Sequence, residues 1–366
     1  MVYYSDDIER CFLHLGDQIS DAIRVIEANS AKIALVVDEC NRLIGTITDG
    51  DIRRSILGNV KETEPLSVLL SSKTNPTYKT PIKAHSSISE PELIALMQKY
   101  KITSIPLIDD DARVIDIVGF QQLFSENQLP VRAVVMAGGF GTRLRPLTNS
   151  TPKPMLPVGE KPLLEQIITQ LKTSNIYDVV ITTHYLSNQI TDHFGDGQNH
   201  GVNIQYVKED QPLGTAGAVS LVPDRQSTLL IINGDILTNL DFSAFLQFHK
   251  EHNAKLSVAV RRYTIDIPYG VVKSKDSHIT EIKEKPQISF FVNAGIYLAE
   301  PSAIELIPQN GDKFDMTQLI DLLLETGETV INFPIHEYWL DIGKHDDYLK
   351  AQQDIEQGIF AKKVEN

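Results

Sequence analysis

The chain of 366 residues lacks several features that would place it in a specialised class of protein. Its two cysteines, Cys11 and Cys40, have no metal-ligand spacing, so they are expected to be buried thiols in a reducing compartment. No apolar run approaches the ~20 residues that a membrane-spanning helix needs. Acidic residues outnumber basic ones by 48 to 34, and the formal net charge of -14 argues against nonspecific nucleic-acid binding.

The N-terminal segment lacks the basic and apolar regions of a secretory signal peptide, so a cytoplasmic protein is predicted. Hydrophobic residues make up 42% of the chain and charged residues 22%, as in ordinary globular proteins. A chain of this length has room for two or three domains with full cores.

A glycine-rich turn follows the short β-branched run at residues 131–136, and it is the most informative stretch of the sequence. Glycines let the backbone approach a phosphate closely, and free N–H groups can donate to its oxygens. The turn does not end in the Gly-Lys-Ser/Thr of a Walker loop, and Leu144 stands where a dinucleotide fingerprint needs its third glycine. Arg143 and Lys153 add positive charge, which predicts an enzyme that handles a nucleoside triphosphate. The predicted nucleotide-binding residues of the turn are Ala137, Gly138, Gly139, Gly141 and Thr142.

The string GGFGTRLRPLT, followed by PKPMLPV, resembles the signature of the sugar-1-phosphate nucleotidylyltransferases, and the resemblance extends from about Val131 to about Gln357. Such enzymes join a sugar 1-phosphate to a nucleoside triphosphate and release pyrophosphate. The resemblance implies that Arg143 contacts the triphosphate and that Lys153 lies against the α-phosphate. It also implies a Mg²⁺ site formed by Asp235, at the end of an apolar strand, and by Asp341 of the Trp-Leu-Asp-Ile-Gly element.

The resemblance assigns the two remaining substrate contacts as well. Glu284 and Lys285 of a Glu-Lys-Pro element, with Asn293 and Gly295, would bind the sugar phosphate, although Gly295 could equally be a packing glycine in a buried strand. The base would contact the first loop and residues 210–218, where Gln211, Gly214 and Thr215 are the candidates. The string PLGTAGA in that segment is more typical of guanylyltransferases acting on mannose or heptose 1-phosphate.

An internal repeat of about 70 residues occupies the N-terminal part, and each copy reads helix, strand, strand, helix. The string LVVDECNRLIGTITDGDIRR resembles the first copy of a tandem CBS (cystathionine-β-synthase) pair, with repeats at about 10–65 and 66–125. Thr48 and Asp51 match the hydroxyl and carboxylate that bind a nucleotide in such modules, whereas the second copy has Gly119 and Gln122 there. Thr48 and Asp51 can equally be helix-capping residues. CBS pairs commonly stack, so the module at 1–125 is expected to form a homo-oligomer.

A polar linker at residues 126–130 precedes a predicted catalytic domain at 131–366. The predicted fold is α/β, a Rossmann-like, mainly parallel sheet flanked by helices of the nucleotidyltransferase type, after an α+β CBS module. No hexapeptide repeat follows Gln357, so an acetyltransferase tail is not expected. The predicted strands are 131–136, 179–183, 203–207, 228–233, 256–261, 270–273, 292–298 and 330–335, and the predicted helices are 160–174, 186–194, 214–222, 241–252, 301–307, 315–326 and 344–357.

The combination of both parts resembles the CBS-fused glucosamine-1-phosphate guanylyltransferases that supply GDP-sugars to legionaminic acid synthesis. It implies transfer of GMP from GTP to glucosamine 1-phosphate, with a nucleotide as the regulatory ligand of the CBS module. Two alternatives have the same chemistry: a mannose-1-phosphate guanylyltransferase, and a uridylyl- or thymidylyltransferase. A third is a nonenzymatic NDP-sugar sensor, which the presence of all the expected charged groups disfavours.

Overall fold

A computed structural model of the chain describes residues 8–29, 31–73, 79–100, 102–119, 128–309 and 311–360. The chain divides into two compact units, residues 1–127 and 128–366. No helix in these described ranges is both long enough and apolar enough to cross a membrane.

The first unit contains two three-stranded sheets with the same strand arrangement. In each sheet a two-residue strand pairs parallel to a buried strand, which in turn forms an antiparallel hairpin with the next strand. The two sheets therefore have the same topology, and the assignment of the unit as a tandem CBS pair stays a prediction. The strands of the first sheet are β1 (Phe12–Leu13), β2 (Ile33–Val37) and β3 (Leu43–Thr48), and those of the second are β4 (Ala84–His85), β5 (Ser104–Ile108) and β6 (Val114–Gly119). The helices are α1 (Ile19–Ala28), α2 (Asp49–Leu57), α3 (Leu66–Ser71) and α4 (Glu90–Tyr100).

The two repeats share a core and a backbone contact. Every residue of β2 is buried, and its Ile33 and Leu35 belong to the same apolar cluster as Val114 and Ile117 of the second repeat. An isolated antiparallel bridge joins Arg42 to Arg113 across the two hairpin turns. The helix expected to close the second copy, with Gln122, lies outside the described residues.

The second unit is built on a seven-stranded mixed sheet. The strands of this sheet are β7 (Arg132–Met136), β10 (Asp178–Thr183), β11 (Asn203–Lys208), β12 (Leu229–Asn233), β14 (Leu256–Asp266), β17 (Gln287–Ala299) and β18 (Val330–Ile335). Their order across the sheet is β11-β10-β7-β12-β17-β14-β18. Smaller two-stranded sheets pair β8 (Pro157–Val158) with β9 (Lys161–Pro162), β13 (Ile236–Thr238) with β19 (Trp339–Asp341), and β15 (Val271–Lys275) with β16 (His278–Lys283).

Helices cover both faces of this sheet, because each helix presents an apolar stripe to one of two buried clusters. The first face is covered by α5 (Leu163–Thr173), α6 (Ser187–Phe194) and α8 (Phe242–Glu251). The second face is covered by α7 (Gly214–Ser220), α9 (Pro301–Ile304) and α10 (Met316–Glu325). A last helix, α11 (His345–Glu356), packs its Ala351 into a smaller cluster with Leu144 and Ile342. The predicted α/β fold is confirmed.

Four neighbouring strands of the sheet, β11, β10, β7 and β12, run parallel to one another. Their carboxyl ends therefore meet at one edge of the sheet, and ligands of open α/β sheets bind at that edge. The strand β17 runs antiparallel to β12 and β14, and it enters the sheet from an exposed ribbon that it forms with β14 at residues 262–266 and 287–291.

Candidate active site

The turn after β7 adopts the left-handed conformation at one glycine. Gly141 has a φ of 61°, and its carbonyl oxygen accepts a hydrogen bond of 2.8 Å from the hydroxyl of Thr148. A Cβ atom at this position would lie 2.9 Å from Cγ2 of Thr148 and 3.1 Å from Cβ of Lys153. Gly141 is therefore required both by its backbone conformation and by the close approach of the segment that carries Lys153.

Lys153 begins a short 3-10 helix at Lys153–Met155, directly after Pro152. Its side chain is largely buried, and its Nζ atom lies 2.5 Å from Oδ2 of Asp235. The two residues are 82 positions apart in the sequence. The structure thus brings one predicted catalytic residue against one predicted metal ligand at the carboxyl end of β12.

Asp235 and Asp341 are held together by the short sheet of β13 and β19. Ile236 pairs with Asp341 in this sheet, and the backbone N–H of Ile342 donates a 3.0 Å hydrogen bond to the carbonyl oxygen of Asp235. Burial raises the pKa of Asp341 to about 6, and the neighbouring charge of Asp235 adds to this effect. The positive charges of Lys153 and Arg143 act in the opposite direction and lower the pKa of Asp341. The two carboxylates therefore carry negative charge that the two cations only partly offset.

This donor set fits a divalent cation. The Oδ1 atom of Asp235 is buried and has no hydrogen-bond partner among the described residues, so it is available as a ligand. Arg143 is close to Asp341, because a Cβ atom on Gly343 would lie 3.6 Å from Oδ1 of Asp341 and 3.7 Å from Nη1 of Arg143. Carboxylate oxygens are the ligands that hard divalent cations prefer.

Asn293 and Gly295 lie on β17 beside the end of β12. Gly295 has a φ of 72°, and a Cβ atom there would lie 2.6 Å from Nδ2 of Asn233. Asn293 donates from Nδ2 to the hydroxyl of Tyr297 at 2.9 Å and accepts from the backbone N–H of Gly295 at 2.9 Å. Close packing against Asn233 therefore explains the glycine, and it also places Asn293 and Gly295 next to the segment that leads to Asp235.

Glu284 and Lys285 directly follow the strand β16, and both are exposed. Lys285 has a φ of 42°, an unusual conformation for a lysine. The Glu284 carboxylate faces Gly270, whose added Cβ would lie 3.1 Å from Oε2. Among the described residues, no hydrogen bond or ion pair joins Glu284 or Lys285 to Asp235 or Asp341. Their predicted contact with the sugar phosphate remains a prediction.

The predicted base-binding loop is held mainly by the segment that leads into α10. Gly214 has a φ of 79°, and a Cβ atom there would lie 2.6 Å from Oδ1 of Asp315. The backbone N–H of Thr215 donates to the same carboxylate at 3.0 Å, and its hydroxyl accepts from the N–H of Met316 at 2.8 Å. Gln211 is exposed, and its amide donates to the carbonyl oxygen of Gly311 at 2.8 Å.

Two residues of this edge were not predicted from the sequence as site residues. Glu209 directly follows β11 and is buried, and Asn233 ends β12 with a buried Oδ1 atom that has no hydrogen-bond partner within the described ranges. The signal available in the sequence was their position, because each residue lies at the carboxyl end of an apolar parallel strand.

The predicted ligand residues of the first unit form a capped and ion-paired group. The backbone N–H and the hydroxyl of Thr48 donate to Oδ2 of Asp51 at 3.0 and 3.1 Å. Arg54 and Lys73 each lie 2.9 Å from the Asp51 carboxylate. These contacts hold its pKa below its usual range despite burial, which acts in the opposite direction. Capping of α2 is therefore observed, and a ligand role for Thr48 and Asp51 remains a prediction.

Comparison with known proteins matches two family models to this chain. Residues 132–358 match the nucleotidyl transferase model, and residues 10–58 match the CBS domain model. The nucleotidyl transferase match covers more than half of the chain, so the chain belongs to the nucleotidyl transferase family, with a CBS domain at its N-terminal end.

Similar proteins include two guanylyltransferases. Mannose-1-phosphate guanylyltransferase of Mycobacterium tuberculosis is 34% identical over 235 residues, which are 63% of this chain and 66% of that protein. D-glycero-alpha-D-manno-heptose 1-phosphate guanylyltransferase of Aneurinibacillus thermoaerophilus is 33% identical over 63% of this chain and 100% of its own length. The chain thus spans slightly less than two thirds of the mannose enzyme and all of the heptose enzyme.

A similar solved structure is a Bacillus anthracis protein provisionally described as a glucose-1-phosphate thymidylyltransferase, in complex with a sucrose. It has a TM-score of 0.51 and 26% identity, and the match covers 64% of this chain and 97% of that chain. Its fold agrees with the α/β sheet described above.

Proposed function

We propose that the chain transfers a nucleoside monophosphate, GMP from GTP, to a sugar 1-phosphate and releases pyrophosphate. The observation that carries this proposal is the cluster of two acidic and two basic groups at the carboxyl edge of the sheet. Lys153 lies 2.5 Å from Asp235, Asp235 is next to Asp341 across a two-stranded sheet, and Arg143 borders Asp341. Such a set suits phosphates whose charge must be neutralised.

The proposed reaction is one inline displacement at the α-phosphorus of the triphosphate. An oxygen of the sugar phosphate forms the new P–O bond while the bond to the β-phosphate oxygen breaks. The nucleophile is already anionic, so no general base is needed, and catalysis reduces to positioning and charge stabilisation. Lys153 would hold the α-phosphate. Arg143 would hold the triphosphate oxygens through its planar pair of donors.

Asp235 and Asp341 would hold the divalent cation, which we propose is Mg²⁺. When bound, this ion neutralises phosphate charge and polarises the phosphoryl group. The rest of the site is provided by the protein. The glycine turn would present backbone N–H groups to the phosphates, and Asn293 and Gly295 would line the sugar pocket beside Asn233.

GTP is the proposed triphosphate because two of the similar proteins are named as guanylyltransferases and because the loop carries PLGTAGA. Glucosamine 1-phosphate is the proposed sugar, and the product would serve glycan or nonulosonic acid synthesis. The Bacillus anthracis neighbour favours thymidylyl transfer as the second candidate. The CBS unit is proposed to bind a regulatory nucleotide at Thr48 and Asp51 and to form a homo-oligomer.

The test is pyrophosphate release with Mg²⁺, in which GTP, UTP, dTTP, CTP and ATP are each combined with glucosamine, N-acetylglucosamine, mannose and glucose 1-phosphates. We expect release with GTP and one aminosugar phosphate. Release with UTP or dTTP alone would retain the chemistry and overturn the base assignment. No release with any pair would favour a nonenzymatic sensor of NDP-sugars.

A further inference from the structure

The hairpin of β8 and β9 directly follows the segment that carries Lys153. The backbone N–H of Leu156 donates to the carbonyl oxygen of Lys153 at 3.1 Å, and the N–H of Leu163 donates to the carbonyl oxygen of Leu156 at 3.0 Å. The hairpin turns at Gly159, which has a φ of 67°. These bonds couple the backbone position of Lys153 to the position of the hairpin.

One side chain of α11 holds this hairpin through both halves of its amide group. Nε2 of Gln352 donates to the carbonyl oxygen of Pro157 at 2.6 Å, and Oε1 accepts from the backbone N–H of Gly159 at 2.9 Å. The same Pro157 oxygen accepts a 2.6 Å hydrogen bond from the hydroxyl of Tyr348. The helix lies so close to the turn that a Cβ atom on Gly159 would be 2.9 Å from Cγ2 of Ile355. Hydrogen bonds and direct packing therefore fix the hairpin to α11.

The same helix is tied to the segment of Asp341. It begins at His345, shortly after Asp341 in the chain. The backbone N–H groups of Gly343 and Lys344 both donate to Oδ2 of Asp347 in the first turn of the helix, at 3.2 and 3.0 Å. Because a hydrogen-bonded helix keeps a regular spacing between its residues, α11 sets the hairpin at a defined position relative to this segment.

The ion pair between Lys153 and Asp235 cannot hold Lys153 throughout the proposed reaction. In that reaction Lys153 contacts the α-phosphate and Asp235 binds the cation, so the two groups give up their mutual contact. An inline displacement depends strongly on position, and a misplacement of about 1 Å can lower the rate about 10²-fold. A contact that the substrates do not displace must then keep the Lys153 segment in place. The contacts between the hairpin and α11 meet this requirement, because none of their groups is a proposed substrate ligand.

We propose that Gln352 is a positioning residue for the reaction, which keeps Lys153 aligned with the α-phosphate by fixing the hairpin of β8 and β9 to α11. This inference rests on the proposed nucleotidyl transfer. Gln352 is the best candidate on the helix because its amide contacts two backbone groups of the hairpin, whereas the hydroxyl of Tyr348 contacts only Pro157. The neighbouring Gln353 is exposed, and its side chain forms no hydrogen bond with the other described residues.

The test measures kcat and KM for Gln352→Met in the full chain, with Mg²⁺ and the pair of substrates that supports pyrophosphate release. Methionine has nearly the length and helix propensity of glutamine, and it removes both hydrogen bonds. We expect kcat to fall by about 10- to 100-fold. The KM of each substrate should stay at the wild-type value, because Arg143 and the cation still bind the triphosphate.

The matched control is Gln353→Met, the same chemical change at the next position of the helix, and it should leave kcat unchanged. Unfolding curves select a temperature at which every variant is folded, so that a loss of kcat cannot arise from unfolded protein.

A second comparison asks whether Gln352 acts through Lys153. We expect Gln352→Met to lower kcat little further in a protein that already carries Lys153→Met, because residues that act as a unit have non-additive effects. A residue that served only the general stability of the domain would lower kcat by the same factor in both backgrounds.

The outcomes separate the possibilities. A wild-type protein that releases no pyrophosphate with any substrate pair overturns the proposed function and this proposal with it. In an active protein, wild-type kcat in Gln352→Met, or equal losses of kcat in both backgrounds, overturns only the role of Gln352. If Gln352→Met does not fold, Tyr348→Phe replaces it, since this change removes one hydrogen bond to the hairpin. A lower kcat at unchanged KM then supports the proposal, and a wild-type kcat overturns it.

Discussion

The ammonium group of Lys153 lies 2.5 Å from Oδ2 of Asp235. This ion pair links the segment after the glycine turn to the carboxyl end of β12. Each group has another partner in the proposed reaction, the α-phosphate for Lys153 and the metal ion for Asp235. Binding of the substrates would therefore exchange one ion pair within the protein for two contacts outside it. The groups are charged and positioned before the substrates arrive, which lowers the cost of reorganisation.

Asp235→Asn removes one negative charge and nearly preserves the shape of the side chain. We expect turnover to fall by about 10²- to 10³-fold, the usual effect of losing one preorganised charge contact. Pyrophosphate release over a range of Mg²⁺ concentrations measures this loss. Asp192→Asn, at an exposed position of α6, should behave as the wild-type protein does. Full turnover in Asp235→Asn would refute the proposed metal site.

Two neighbouring glycines should respond differently to alanine. Gly138→Ala places a methyl group 2.6 Å from Oε1 of Glu209, so we expect a loss of about 1–3 kcal/mol in the free energy of unfolding. Gly139→Ala meets no atom within 4 Å, so stability should not change. Its methyl group would instead occupy space beside the phosphates, and GTP should bind less tightly. Urea unfolding and GTP titration measure the two effects, and equal destabilisation by both variants would contradict the geometry.

Glu209→Gln should stabilise the protein in a manner that depends on pH. Burial raises the folded pKa of Glu209 above its ordinary value of 4.5, so folding favours the protonated form. The stability that this group contributes is complete below pH 4.5 and is lost as the pH rises through the folded pKa. Glutamine resembles the neutral acid at every pH. The variant should therefore be more stable than the wild-type protein at pH 8, with a smaller difference near pH 5.

Denaturation curves of both proteins at the two pH values, without nucleotide, give this comparison. A difference that grows on acidification would show that the carboxylate is stabilised when charged. In that case the electrostatic cost attributed to Glu209 would be wrong.

In the first unit, Asp51→Ala would leave the largely buried ammonium group of Lys73 without its carboxylate partner. We expect a loss of about 3–5 kcal/mol in the free energy of unfolding, because removing one member of a buried pair leaves an uncompensated charge. The double variant Asp51→Ala with Lys73→Met should recover part of this loss. Thermal or urea unfolding measures each variant. Additive losses in the double variant would show that the two charges do not interact.

Most of the regular structure could be predicted because apolar periodicity is strong in both units. The predicted strands at 131–136 and 179–183 differ from the observed β7 and β10 by one residue at most. The strands β13 and β19 were not predicted, since three residues are too short to show a period. The ribbon of β14 and β17 is longer than predicted. Its outer apolar residues, such as Tyr263 and Phe290, pair across the strands while facing solvent.

The candidate site could be predicted in part. Sequence motifs indicate the type of residue and its place along the chain, but they do not show whether its side chain is buried. Asp235 and Asp341 were recognisable from local strings, and the structure adds that the strand after Asp235 pairs with the strand that contains Asp341. In the sequence, Glu209 belongs to a Lys-Glu-Asp run, which predicts an ordinary solvent-exposed charged residue. Its burial depends on contacts with Gly138 and Leu213, which no spacing reveals.

The pairing of β13 with β19 joins segments about 100 residues apart and brings Asp341 beside Asp235. A ribosome must therefore add about 100 residues after Asp235 before both acidic groups can meet. Until then the central sheet can form around β7, β10 and β12, and the glycine turn can be in place, with half of the cation site missing. A product that ended before residue 341 would therefore lack one of the two acidic groups of the proposed cation site, however well its core had formed.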